Sequence, residues 1–109
     1  MSTIAKAATA HHEILVTLQK GGPVPNIPPS MKVGETVHYK SDDGEVTIEF
    51  HKDGSPFLNL DGSEKKEVTS NEPPVKLKKA GNFTCRCFIT PPGGSPIGWE
   101  GSGGNHLVQ

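Results

Sequence analysis

The stretch Lys79-Ala80-Gly81-Asn82-Phe83-Thr84-Cys85-Arg86-Cys87-Phe88-Ile89-Thr90 decides how this chain is read. A glycine turn leads into a run in which Phe83, Cys85, Cys87 and Ile89 recur at every second position. Side chains alternate across a strand, so these residues share one face. The two cysteines are the only ones in the chain. A disulfide between positions two apart in a strand is geometrically awkward, so thiols and a reducing compartment are expected.

The same period of two recurs on either side of this strand. Glu13-Ile14-Leu15-Val16-Thr17-Leu18-Gln19 reads as a first strand with Ile14, Val16 and Leu18 inward. Residues 1–12 are small and polar, so a flexible segment ending in His11-His12 is expected, with the folded domain spanning 13–109. Gly21 to Pro29 is too rich in proline for a helix or a central strand, and reads as an extended crossover along a sheet edge. Glu35–Lys40 and Glu45–Phe50 alternate strictly around Ser41-Asp42-Asp43-Gly44, which predicts an antiparallel hairpin. Val37, Tyr39, Val46, Ile48 and Phe50 would face inward, and Thr36, His38, Lys40, Thr47 and Glu49 would face water. Asp53-Gly54 and Asp61-Gly62 mark turns, with Phe57, Leu58 and Leu60 in a short strand between them. Lys65–Thr69 and Val75–Lys78 are further strand candidates. A long loop from Thr90 to Gly104 precedes a last strand, Asn105–Gln109. About seven or eight short strands joined by turns imply an all-β fold, an antiparallel Greek-key sandwich.

Composition agrees. A chain of 109 residues is one domain. The 13 glycines and 10 prolines, spread along it, argue against long helices. Eleven cationic residues against twelve anionic ones, interspersed, leave nothing to attract nucleic acid or an anionic membrane in bulk. No stretch is long enough to cross a bilayer. The first ten residues lack the apolar run of a secretory signal, so a cytoplasmic protein is expected; a periplasmic or secreted one is the alternative if a signal has been removed. Lys76, Lys78 and Lys79 look like edge protection, which favours a monomer.

From about residue 13 onward the chain resembles a cupredoxin. Val33-Gly34-Glu35-Thr36-Val37 is similar to the phrase that opens the family's second strand. Val46-Thr47-Ile48-Glu49-Phe50 is similar to the run that ends its third, and Lys79-Ala80-Gly81-Asn82-Phe83 to the phrase before its cysteine strand. The resemblance puts Cys87 at the copper-binding cysteine. A type-1 site needs two imidazoles and a thiolate, usually with an axial thioether. The family's first histidine falls near position 46, which is valine here. No histidine follows Cys87 within a few residues, and no methionine follows it at all. The resemblance therefore implies the scaffold and argues against electron transfer. An immunoglobulin-like sandwich is the competing reading, but it expects a tryptophan between two well-separated cysteines, and Trp99 follows both.

The candidate chemistry is sparse. Cys85 and Cys87 read as small apolar core residues; the alternative is a soft site for copper or zinc completed by His106. His38 and His51 read as surface imidazoles that could bind a metal loosely, and His11-His12 as part of a mobile tail. The loop from Thr90 to Gly104 is the best binding candidate, because loops this long in small domains often bind. Its prolines, Pro92 and Pro96 among them, restrict it and would present Ile97 and Trp99. Tryptophan is enriched at interaction hot spots, whereas the alternative folds Ile97 and Trp99 as a cap over the open end of the sandwich. No nucleophile elbow, calcium loop or phosphate cradle is present in the sequence. The expectation is a non-enzymatic domain without a cofactor that binds a protein partner through residues 90–104. The alternative is a copper or zinc carrier.

Overall fold

The computed structural model describes residues 10–20, 22–50, 54–98 and 103–109. The eight strands are β1 (His11–Gln19), β2 (Gly22–Pro25), β3 (Thr36–Lys40), β4 (Glu45–Phe50), β5 (Glu67–Thr69), β6 (Val75–Lys76), β7 (Gly81–Thr90) and β8 (Gly103–Val108). No helix occurs among the described residues. The strands form two four-stranded sheets, ordered β2-β1-β3-β6 and β5-β4-β7-β8. All pairings are antiparallel except that of β1 with β3.

Alternation builds the core as expected. Ile14 and Val16 from β1, with Val37 and Tyr39 from β3, supply one inner face; Val46, Ile48 and Phe50 from β4, with Phe83, Cys85, Cys87 and Ile89 from β7, supply the other. Met31, Phe57, Leu77 and Val108 close the ends and sides. Each fully buried aliphatic or aromatic side chain of this kind contributes about 1.5–3 kcal/mol.

The expected hairpin does not form: β3 and β4 lie in different sheets. Their inner faces look at each other across the sandwich instead of lying side by side. Packed sheets stand about 10 Å apart, a gap that four linking residues can cross. Two contacts hold the link in place. The Leu18 amide of β1 donates to the Asp43 carboxylate (3.0 Å), and Gly44 lies so close to β7 that a Cβ there would stand 2.7 Å from the Thr90 carbonyl carbon. Period two reports the face of each strand but not its neighbour.

Other boundaries shift. The first strand begins at His11, because β1 continues pairing with β3 and His11 stands opposite Thr36. Residues His11 and His12 therefore belong to the sandwich. The crossover after β1 becomes the edge strand β2, and its prolines sit where an edge tolerates them. No strand runs through Phe57, Leu58 and Leu60. A tight turn replaces it, with the Gly62 amide donating to the Asn59 carbonyl (3.0 Å) and a single bridge joining Leu58 to Glu64. Phe57 is buried beneath this turn, while Leu60 is fully exposed at its tip. The expected turn at Asp53 lies outside the described residues.

Candidate functional site

At one end of the sandwich the β3–β4 link, the β5–β6 link and the start of the β7–β8 loop border an open cleft of about 530 Å³. Asp42, Glu45, Asn71, Thr90 and Pro92 are among its walls. Asn71 donates to Glu45 (2.6 Å) and so joins the β5–β6 link to the start of β4. The long loop is pinned at its near end. Ile89 and Ile97 exchange two backbone hydrogen bonds (2.9 and 2.7 Å), and the Gly94 amide donates to the Pro91 carbonyl (2.9 Å). Pro92 through Pro96 are exposed, and Ile97 is half-buried. Gly98 packs against β7; a Cβ there would stand 2.6 Å from the Cys87 carbonyl oxygen. Trp99, the aromatic residue of the expected binding element, lies outside the described residues, as does His51.

The candidate ligands Cys85, Cys87 and His106 all point into the core. Cys85 and Cys87 remain thiols. On β4, Phe50 is the partner of Cys85 and Ile48 that of Cys87, while Val46 faces Ile89 two rungs away. Burial pushes the Cys85 thiol up to about 11 and the Cys87 thiol up to about 12. His106 does not stand beside Cys87, as the metal reading asks; its partner on β7 is Phe83. There it meets the other sheet. The Tyr39 hydroxyl and its Nε2 are hydrogen-bonded to each other (2.8 Å), and its ring packs edge-on to Phe50 with centroids 5.1 Å apart. Its Nδ1 is buried with no hydrogen-bond partner among the described residues. Burial pushes its imidazole down to about 4, so the ring is neutral at pH 7. Among the described residues no three His, Cys, Asp or Glu side chains are arranged, as they stand, to hold a metal ion.

A polar cluster on the outer face of the first sheet was not foreseen as a unit. His11 and Glu13 of β1 and His38 of β3 converge, with the two imidazoles on either side of the Glu13 carboxylate at 2.9 and 3.0 Å. The spacing of His11 and Glu13 by two residues puts them on one face, but only the parallel register brings His38 to them. At the start of the same strand, His12 donates to Glu35 (2.8 Å), which also accepts from the Lys32 amide (2.8 Å). These contacts place the supposed tail histidines in the folded structure. The imidazole of His12, followed by the backbone N–H, holds the Glu35 carboxyl below the usual carboxylate range.

No protein-family model matches this sequence, and no curated protein matches it. Among solved structures the chain is similar to a pseudoazurin from Sinorhizobium meliloti, with a TM-score of 0.53 and 19% identity. The match covers 92% of this chain and 74% of the other. At that identity the likeness concerns fold alone, and pseudoazurin is a cupredoxin. Two four-stranded sheets in this order, aligned with that structure, make the fold of this chain a cupredoxin-like β-sandwich.

Proposed function

We propose that this protein is a non-enzymatic binding domain: a cupredoxin-like sandwich that has lost copper electron transfer and meets a protein partner through residues 90–104. The observation that carries this reading is the pinned loop. Its first half is tied back to β7 at Ile97 and leaves Pro92 and Pro96 exposed, Pro92 at the wall of the open cleft. A loop ordered before binding gives up little further freedom on docking. Loss of copper chemistry is supported by Val46 at the position of the first imidazole and by Cys87, a buried thiol that burial keeps protonated. Such thiols fit a cytoplasmic setting.

The alternative carrier of copper or zinc on Cys85, Cys87 and His106 has weaker support. His106 is turned toward Tyr39 and Phe50, with Phe83 as its strand partner. Two experiments test the reading. Copper added to the reduced protein is expected to give no intense blue absorption; a blue band that disappears in Cys87→Ser would overturn the loss of the copper site. Acrylamide is expected to quench Trp99 freely, and a captured partner to be lost in a Pro92→Ala/Pro96→Ala/Trp99→Ala variant that keeps its fold. A quench-resistant Trp99 with capture unaffected by that variant would refute the docking loop.

A further inference from the structure

The outer face of the second sheet carries an aromatic residue where alternation otherwise places polar ones. Thr84, Arg86, Phe88 and Thr90 are outward positions of β7. The other aromatic residues among the described ones, Tyr39, Phe50, Phe57 and Phe83, are all buried in the core. Phe88 is half-buried on the outside, with Thr47 of β4 as its strand partner. Gly98 lies against it from the loop; a Cβ there would stand 2.7 Å from the ring atom Cδ1. Phe88 lines an open groove of about 310 Å³ together with Thr47, Glu49, Glu67 and Pro96.

The charges along this groove are unbalanced. Glu49 and Glu67 stand directly opposite each other on β4 and β5. Like charges at such positions destabilise a sheet. The ion pairs among the described residues use Glu13, Glu35, Glu64 and Glu72, and none of them involves Glu49 or Glu67. Arg86 is the register partner of Glu49 on β7, yet among the described residues it makes no ion pair with it. Two carboxylates against one guanidinium leave this row of the sheet with an excess of negative charge. An aromatic ring beside two carboxylates suits an arginine side chain. A guanidinium stacks on an aromatic face and donates in its own plane to carboxylates. A neutral side chain would leave both carboxylates unanswered. Pro96 is an exposed residue of the docking loop, so a partner lying on that loop reaches the groove directly.

We propose that the groove over Phe88 receives an arginine side chain of the protein partner, held by Glu49 and Glu67 with its guanidinium stacked on the ring. The inference rests on the docking reading of residues 90–104, and it names the kind of partner: a protein that presents an arginine beside the segment seated on Pro92 and Pro96. The cleft at the near end of the loop has the same sign, with Asp42 and Glu45 in its walls and no lysine or arginine among the described residues that line it. Charge complementarity of this kind selects partners and makes the encounter sensitive to salt.

The probe is the peptide acetyl-Gly-Arg-Gly amide, with citrulline in place of arginine as its neutral isostere. Each is titrated at low salt into the full chain while the Phe88 ring and the Glu49 and Glu67 amides are followed by NMR. The arginine peptide should shift these signals to saturation, and the citrulline peptide should not. Phe88→Leu should weaken binding about 3-fold or more. Glu49→Gln/Glu67→Gln should abolish it, and Arg86→Gln, which removes a competing cation, should tighten it. The two glutamate substitutions relieve the like-charge pair, so loss of binding there is not loss of fold. Equal shifts from both peptides, or binding that survives Glu49→Gln/Glu67→Gln, would overturn the inference. The peptide reads the groove alone. No shift at the groove, alongside partner capture lost in the Pro92→Ala/Pro96→Ala/Trp99→Ala variant, would remove the arginine site and spare the docking loop. Shifts at the groove, with capture unaffected by that variant, would spare the arginine site and remove the docking loop.

Discussion

At the scale of single residues, the most consequential side chain is His106. It is the one fully buried histidine among the described residues, and it joins the two sheets through Tyr39. Its folded value of about 4 lies below the ordinary 6.5, so the unfolded chain binds the proton more readily in between. Stability contributed by the neutral ring is therefore complete above about pH 6.5 and is lost as pH falls toward about 4. Between pH 7 and pH 5 the expected loss is about 2 kcal/mol. Urea unfolding of wild type and His106→Gln at both pH values should show this slope in the wild type and a flatter one in the variant. Equal slopes would remove the assignment. The cysteines give a second test at this scale. Thiolate is the reactive species, and burial pushes both thiols to about 11 or above. Neither should react with a disulfide reagent in the native protein at neutral pH, and both should react in denaturant. Rapid native labelling of either would contradict their place in the core.

At the scale of elements, the β3–β4 link is what makes two strands into two layers. Gly44 has φ of 150° and lies against the backbone at Thr90 and Pro91, which cannot move aside as a flexible side chain would. Gly62 has φ of 90° but open space around it. Gly62→Ala should cost only the conformational penalty, about 1 kcal/mol, whereas Gly44→Ala adds a steric conflict and should cost about 2–4 kcal/mol. Chemical denaturation of the two variants orders them, and equal costs would mean that the link does not press on β7. The strand faces were legible in the sequence here, since Val37, Tyr39, Val46, Ile48 and Phe50 are all buried. The pairing was not. A short polar link with a glycine suits a hairpin and a sheet-to-sheet crossing equally, and the choice falls to the contact partners of each strand. The same limit hid the His11–Glu13–His38 cluster, which exists only because β1 and β3 pair in parallel.

At the scale of the whole molecule, every sheet edge is short, proline-bearing or covered. β2 carries Pro23 and Pro25, β5 has three residues and β6 two. The free side of β8 is met by the chain around Met31, whose amide donates to Leu107 (2.8 Å) and whose carbonyl accepts from Gln109 (2.8 Å). Edges managed in this way resist strand addition. Sedimentation at micromolar concentration should therefore give a single monomeric species, and a dimer that persists on dilution would point to a face-to-face interface instead. The cluster of lysines expected to guard an edge does so only in part, because β6 ends at Lys76 and Lys78 and Lys79 lie beyond it.

The sequence by itself determined the fold class, the inner face of the principal strands and the short inventory of reactive groups. Those follow from local chemistry: alternation, turn residues and residue type act over a few positions. Only the tertiary structure decided that β3 and β4 face each other across the core, that His106 is spent on Tyr39 instead of the cysteines, and that Glu13 lies between two imidazoles. Each is a contact between segments distant in the chain, set by which strands can bury their apolar faces together, and no local pattern encodes it.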